Sequence, residues 1–331
     1  MRQLVVTKKG GPEVLQVREA PDPAPKPGEV RIRVHAAGLN FADVIARLGF
    51  YPDAPPFPAV LGYEVAGEID LPQERRGERV IAATRFGGQS ELVCVAAEMV
   101  YPLPEPLSFA EGASIPVVWL TAFHMLVELA NLKAGQTVLI HAAAGGVGTA
   151  ALQIARRIGA RSIGTASASK HERLRELGLS DAIDYRKEDF EARVRELTSG
   201  RGVDVVLDAT GAFKKSYRCL APMGKLIMFG ASGVVAGGTR DIVRAARTIV
   251  SMPFFHPLKM LPDNKAVFGV NMGRLWGEAA LLKREMEEIM RGFAGGDYRA
   301  IVDCEVPFAE APRAQERLTS RANFGKVLLV P

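Results

Sequence analysis

The sequence predicts an α/β protein in which a compact, mostly β unit precedes a parallel sheet covered by helices. Three observations carry this. Residues 137–160, TVLIHAAAGGVGTAALQIARRIGA, read as a buried strand, a small-residue turn and a helix. From there to Phe229 short apolar runs alternate with helical patterns, the order that builds a parallel sheet. Before them, residues 1 to about 115 hold strand-like runs punctuated by Pro and Gly, without that alternation.

In the first part, Leu4–Val6, then Val30, Ile32 and Val34, cluster or alternate as strands do, and Val65–Ile69 and Arg79–Ala82 continue the pattern. Pro21, Pro23, Pro25 and Pro27 rule out a helix between the first two. Near Phe109 the pattern changes, and Val117–Leu132 is expected as a helix leading into the Val138–Ile140 strand. Further strands are expected at Ser162–Thr165, Ala182–Tyr185, Val203–Leu207 and Lys225–Phe229, with helices at Lys170–Leu177 and Phe190–Leu197. Residues 233–263 are irregular and read equally as a mobile flap or a surface insertion. A charged helix after Ala280 and a strand at Lys326–Val330 complete the chain.

Composition excludes several classes. A length of 331 residues suggests about two domains, and 48% hydrophobic content is enough for two cores. The net charge of +5 comes from scattered basic residues, Arg156–Arg157 being a pair on a solvated helix face, so no nucleic-acid partner is expected. Cys94, Cys219 and Cys304 are far apart and form no C-x-x-C pair, which argues against a disulfide framework and a four-cysteine zinc lobe. The first residues lack the apolar core of a signal peptide, and no apolar run approaches the ~20 residues that span a bilayer. A cytoplasmic location without an integral membrane segment is expected.

The turn HAAAGGVG is the first candidate site. Gly145 and Gly148 fit G-x-G-x-x-G, with Ala143 in place of the first glycine. A backbone this bare can approach a pyrophosphate, and the helix N-terminus offers it unpaired N–H groups and a positive dipole end. About 20 residues further on, a chain that binds NAD carries an acid for the ribose 2′-hydroxyl. Here Thr165–Lys170 holds none before Glu172; Ser167 or Ser169 caps the next helix, and hydroxyls beside Lys170 also suit a 2′-phosphate. NADPH is the expected cofactor. No G-x-S-x-G elbow, P-loop or H-E-x-x-H pair is present, and His35, His124, His141 and His256 stand alone.

Together GGPEVL, GLNFADVIARLGFYP, HAAAGGVG, GTASASKHE, PMGKLIMFG and GKVLLVP resemble, over essentially the whole chain, the medium-chain dehydrogenase/reductases, and within them the zinc-independent quinone oxidoreductases. HAAAGGVG, GTASASKHE and LKMLPDNKAVFGVNMG are most similar to the vesicle-amine-transport (synaptic vesicle membrane protein) branch. The resemblance implies a GroES-like β domain made from both chain ends, residues 1–117 and 273–331, and an inserted Rossmann domain, residues 118–272. It implies that Lys170 and Tyr185 hold the 2′-phosphate and that Gly146 and Val147 line the pyrophosphate. Asn40, Phe229, Gly230, Phe268, Val270 and Gly325 are then expected along the rest of the cofactor. Zinc-dependent relatives carry a cysteine near Asn40 and a histidine at Tyr63, so no metal is expected.

The implied activity is reduction of a quinone or an α,β-unsaturated carbonyl, a small-molecule electrophile. Tyr51 aligns with the acid tyrosine of enoyl-thioester reductases; it either donates a proton or packs at the cleft rim. Asn40 orients the nicotinamide ribose, and Asp43 braces the same loop by hydrogen bonding. An enoyl-thioester reductase and an NADPH-binding scaffold with little turnover are the alternatives. The stretch Ala266–Val270 is expected as the edge strand of a homodimer.

Overall fold

The computed structural model describes residues 1–230, 250 and 252–331. They fall into two compact units: Met1–Leu120 with Met272–Pro331, and the described part of Thr121–Asn271. The first contains β1 (Arg2–Val6), β2 (Leu15–Glu19), β3 (Glu29–Leu39), β4 (Ala59–Val60), β5 (Glu64–Leu71), β6 (Arg79–Ala83), β7 (Leu92–Ala96) and β8 (Val100–Pro102), with helices α1 (Phe41–Arg47), α2 (Phe109–Ala113) and the start of α3 (Pro116–Phe123). Its larger sheet runs Val302–Pro307, Lys326–Val330, β3, β5, β6, β8, so the C-terminal strand pairs with β3 although nearly 300 residues separate them. The long β3 also pairs with β7, and its inward Val30, Ile32 and Val34 join Val65, Ile69, Val80 and Val93 in one core. A second core around Leu4, Leu39, Leu61, Val327 and Leu329 lies between the smaller sheet, β2-β1-β4, and the C-terminal strand.

The second unit is a doubly wound sheet. Strands β9 (Thr137–Ile140), β10 (Arg161–Ala166), β11 (Asp181–Asp184), β12 (Val203–Asp208), β13 (Leu220–Met228) and β14 (Ala266–Gly269) are all parallel, in the order β11-β10-β9-β12-β13-β14. Successive strands are added to one side of β9 up to β11 and to its other side from β12 on, and the crevice at such a switch point, beyond the strands' carboxyl ends, is where these sheets take ligands. Leu139, Ile163, Ile183, Val206 and Leu226, one from each of five neighbouring strands, make the core with residues of α6 (Phe190–Leu197) and α7 (Phe213–Arg218). Helices α4 (Gly146–Ile158) and α5 (His171–Glu176) are the crossovers that follow β9 and β10.

Three expected elements differ from the sequence reading. The single helix expected over Val117–Leu132 is α3 followed by a π-helical turn, His124–Leu129, in which the Ala130 N–H reaches back five residues to Met125. The helix expected from Lys170 begins as a 3₁₀ turn, Ala168–Lys170, before α5. Strand β13 starts at Leu220, five residues before the expected Lys225. Of residues 233–263, read as a flap or insertion, 233–249 and 251 lie outside the described residues.

Candidate functional site

In the sheet unit the candidate residues collect at the carboxyl ends of neighbouring strands. After β9 the chain turns through Ala142, whose φ of 51° is left-handed, and Gly145 caps α4 with extended backbone. Gly148 sits where α4 presses on the turn: a Cβ there would lie 2.5 Å from the Ala143 carbonyl oxygen and 2.6 Å from that of Ala142. Only hydrogen fits, so Gly146 and Val147 start the helix directly against the bare turn, with the unpaired N–H groups of a first helical turn. Ala143, the departure from the glycine pattern, is buried, and its methyl packs over β10 at Gly164.

At the end of β10, Ala166 pairs in register with Asp184, so Ser167 and Tyr185 leave the sheet side by side. The Lys170 N–H donates to the Ser167 carbonyl at 2.9 Å, closing the tight turn that carries the lysine. Arg186, which the sequence reading did not select, places its guanidinium 5.9 Å from the Tyr185 ring centroid. On the other side, Phe229 and Gly230 follow β13, Phe268 lies on β14, and the Val270 N–H donates to the Met228 carbonyl at 2.8 Å. Phe229, Gly230, Phe268 and Val270 are therefore brought together. The turn's bare backbone and the basic and hydroxyl groups after β10 fit a phosphorylated dinucleotide.

In the β unit, Asn40, Asp43, Glu64 and Lys326 form a buried polar cluster. Asn40 caps α1, and the Asp43 carboxylate accepts its N–H at 2.8 Å and the Gly62 N–H at 3.0 Å. The Asn40 amide is held at both ends: Nδ2 donates to Glu64 Oε1 at 2.8 Å, and Oδ1 accepts from Lys326 Nζ at 2.6 Å. Lys326 also pairs with Glu64, both essentially without solvent exposure, while Glu64 Oε2 accepts the Val117 N–H at 2.6 Å. Burial raises the Asp43 carboxyl to about 7, against hydrogen bonds from Asn40 and Gly62 and the Lys326 charge, which lower it. Gly325, at φ 89°, has a turn role, since a Cβ there would meet the Ile301 carbonyl oxygen at 2.2 Å. It sets the direction in which the chain delivers Lys326.

Tyr51 is half-buried beside this cluster's loop, its ring meeting Tyr63 edge-on with centroids 6.1 Å apart. Arg274 grips Asp53 through two nitrogens at 2.9 and 3.1 Å, tethering the loop that carries Tyr51. Burial, with Asp43 and Tyr51 adding to it, raises the Tyr63 hydroxyl far above the usual phenol range. Among the described residues no three His, Cys, Asp or Glu side chains are grouped to hold a metal ion. Lys326 was missed because nothing in its local sequence marks it, and only the pairing of the C-terminal strand with β3 brings it to Asn40; Glu64, beside the Tyr63 position compared with the zinc-dependent relatives, was not selected either.

A GroES-like β unit together with a doubly wound sheet whose first crossover is a glycine turn defines a two-domain dehydrogenase or reductase. Residues 26–105 match the alcohol dehydrogenase GroES-like domain, and residues 146–293 match the family described as zinc-binding dehydrogenase. The chain is 38% identical to the synaptic vesicle membrane protein VAT-1 homolog of Rattus norvegicus, over 100% of this chain and 84% of that protein. It is 36% identical to a quinone oxidoreductase of Pseudomonas aeruginosa, over 97% of each. The structure of Escherichia coli quinone oxidoreductase complexed with NADPH superposes with a TM-score of 0.87 at 30% identity, covering 100% of both chains. The chain belongs to the medium-chain dehydrogenase/reductase family.

Proposed function

We propose that this protein is an NADPH-dependent reductase of quinones or α,β-unsaturated carbonyls that works without zinc, as a cytoplasmic enzyme. The observation that carries the reading is the pair of sites in the sheet unit: a turn closed by Gly148, and a β10 end that offers Ser167 and Lys170, with no acid among residues 165–171, where an NAD-binding chain would have one. A 2′-phosphate is favoured there by Lys170 and Tyr185, and nothing in that turn repels it. The NADPH complex of the similar Escherichia coli quinone oxidoreductase supports the same choice.

When bound, NADPH supplies the hydride; the chain's own residues position the reactants and handle the proton. Glu64 and Lys326 fix which end of the Asn40 amide points where, so that Asn40 is a preset contact for the nicotinamide ribose rather than an acid or base. Tyr51 supplies the proton that a reduced enone or quinone must gain. Tyr63, whose raised hydroxyl keeps its proton throughout the working range, holds the Tyr51 ring in place. Because this chain has no cysteine near Asn40 and a tyrosine, Tyr63, where zinc-dependent relatives carry histidine, the carbonyl of the substrate itself must spread the developing charge.

An enoyl-thioester substrate is the second reading, favoured by the similarity of the CurK enoyl reductase structure, with a TM-score of 0.85 and 30% identity. The test is turnover of purified protein with NADPH and, separately, NADH, against a quinone, an enone and an enoyl thioester. Consumption of NADPH with the quinone or enone supports the proposal, whereas activity confined to the thioester favours the second reading. Turnover with NADH in preference would overturn the Lys170–Tyr185 assignment. Tight NADPH binding without turnover on any electrophile would mark a scaffold instead.

A further inference from the structure

His141, the first residue of the glycine turn, is buried and belongs to a hydrogen-bonded chain that crosses three adjacent strand ends. Asp208, the last residue of β12, is its fixed end. Its Oδ1 accepts from the Thr210 and Gly211 N–H groups at 2.7 and 3.2 Å and from the Thr210 hydroxyl at 2.8 Å. Two of these partners are backbone N–H groups that can only donate, so the Oδ1 of Asp208 is an acceptor. Its Oδ2 takes the hydroxyl proton of Ser216 at 2.7 Å.

That commitment determines every later proton. With its one hydrogen spent on Asp208, Ser216 Oγ can only accept from His141 Nε2, 3.1 Å away. Nε2 therefore carries the imidazole hydrogen. Burial holds His141 below the ordinary imidazole range although Asp208 opposes this, so the ring is neutral and Nδ1 is bare. Nδ1 then accepts the Thr165 hydroxyl proton at 3.1 Å, and Thr165 Oγ1 in turn accepts the Ala142 N–H at 3.2 Å. The Thr165 carbonyl accepts the next amide, that of Ala143, at 3.1 Å. The serine lies between the acid and the histidine instead of ending an acid–histidine–serine relay, so this is not a nucleophilic triad.

The chain ends on Ala142 and Ala143, whose carbonyls press against Gly148 and set how closely α4 meets the turn. Ala142 also holds the left-handed backbone, a conformation alanine adopts only when its surroundings enforce it. We propose that His141, locked as its Nε2–H tautomer, is a positioning residue for dinucleotide binding, linking the Asp208 carboxylate through Ser216 and Thr165 to the turn that presents the pyrophosphate-binding amides. This rests on the NADPH reading above, and it gives the motif's histidine a role that its isolation in the sequence conceals.

The test uses the full chain. Nitrogen-15 labelling of the histidines reports the His141 tautomer directly; an Nδ1–H tautomer or an imidazolium at neutral pH overturns the proposal. Dissociation constants are then measured for NADPH and for adenosine 2′-monophosphate, which lacks the pyrophosphate, in wild type, His141→Phe, Thr165→Val and Thr165→Ser. In the Phe and Val variants NADPH should weaken about tenfold or more while the monophosphate stays within about twofold, and Thr165→Ser should resemble wild type. If His141→Phe does not fold, the Thr165 pair carries the comparison, differing chiefly in whether the hydroxyl is kept. Unchanged NADPH affinity, or equal weakening of both ligands, overturns the positioning role. Wild-type protein that binds neither ligand overturns the NADPH reading itself, and the tautomer measurement still decides the hydrogen-bond chain.

Discussion

The buried cluster at Asn40 shows how much one residue can depend on partners distant in sequence. Lys326 neutralises Glu64 where neither meets water, and removing the cation leaves a buried carboxylate held only by Asn40 and the Val117 N–H. Lys326→Met should therefore cost about 3–5 kcal/mol in urea-unfolding free energy, and Lys326→Met with Glu64→Gln should recover most of it. A loss unchanged in the double variant would show that the pair is not the source. Asp43 gives a pH prediction. Its folded pKa of about 7 lies above the ordinary carboxylate value, so the folded state binds the extra proton between about pH 4 and 7. Its contribution is complete below the unfolded pKa and is lost as pH rises through 7. The stability advantage of wild type over Asp43→Asn should therefore shrink from pH 5 to pH 8, by a few kcal/mol at most; an advantage constant with pH would contradict the assignment. Asp43 could be read locally, as the acid three residues after a helix-capping Asn40, whereas Lys326 could not. Its partner lies 286 residues away, and a Gly-Lys pair near a chain end says nothing about what it meets.

At the scale of elements, the β9–turn–α4 crossover is where sequence and structure agree most closely, because its geometry is dictated locally. The turn needs a hydrogen at Gly148, and the sequence supplies one. Gly148→Ala must push α4 off the Ala142 and Ala143 carbonyls, and we expect about 1–3 kcal/mol of lost stability together with at least about tenfold weaker NADPH binding. Calorimetric unfolding and fluorescence titration measure the two; a variant that binds like wild type would show that the turn tolerates the methyl. That the sheet is parallel was equally legible, since short strand-like segments such as Val138–Ile140, Ser162–Thr165 and Val203–Leu207 alternate with helical patterns. Less was legible where tertiary contacts override local pattern. Residues 117–132 read as one helix, yet the chain widens to a π turn before the Lys225 ammonium meets the Ala130 carbonyl. Strand β2 escaped because most of it is exposed, and β7 was not selected although its apolar run Leu92–Ala96 is strand-like.

For the whole molecule, the edge of the doubly wound sheet raises the question of assembly. Among the described residues strand β14 is the last of six and pairs only with β13, so its outer row of N–H and C=O groups has no described strand beside it. Just before it, Phe254, Leu258 and Leu261 are each at least 70% exposed, an unusual concentration of large apolar side chains within eight residues. Charged residues do not guard this edge as they do many solvent-facing edges: Ala266, Val267 and Phe268 are all apolar. We propose that two copies join along β14, extending the sheet across a twofold axis and covering these side chains. A twofold pairing uses the same patch on both partners, so a single substitution changes the interface twice. Phe254→Asp with Leu258→Asp places four carboxylates in the dimer interface while altering only exposed positions of the monomer. Sedimentation equilibrium should find wild type as a dimer and the double variant as a monomer with an unchanged circular dichroism spectrum. A wild-type chain that remains monomeric at every concentration would overturn the proposal. So would a variant that still dimerises with wild-type affinity, because the contact would then have to lie elsewhere.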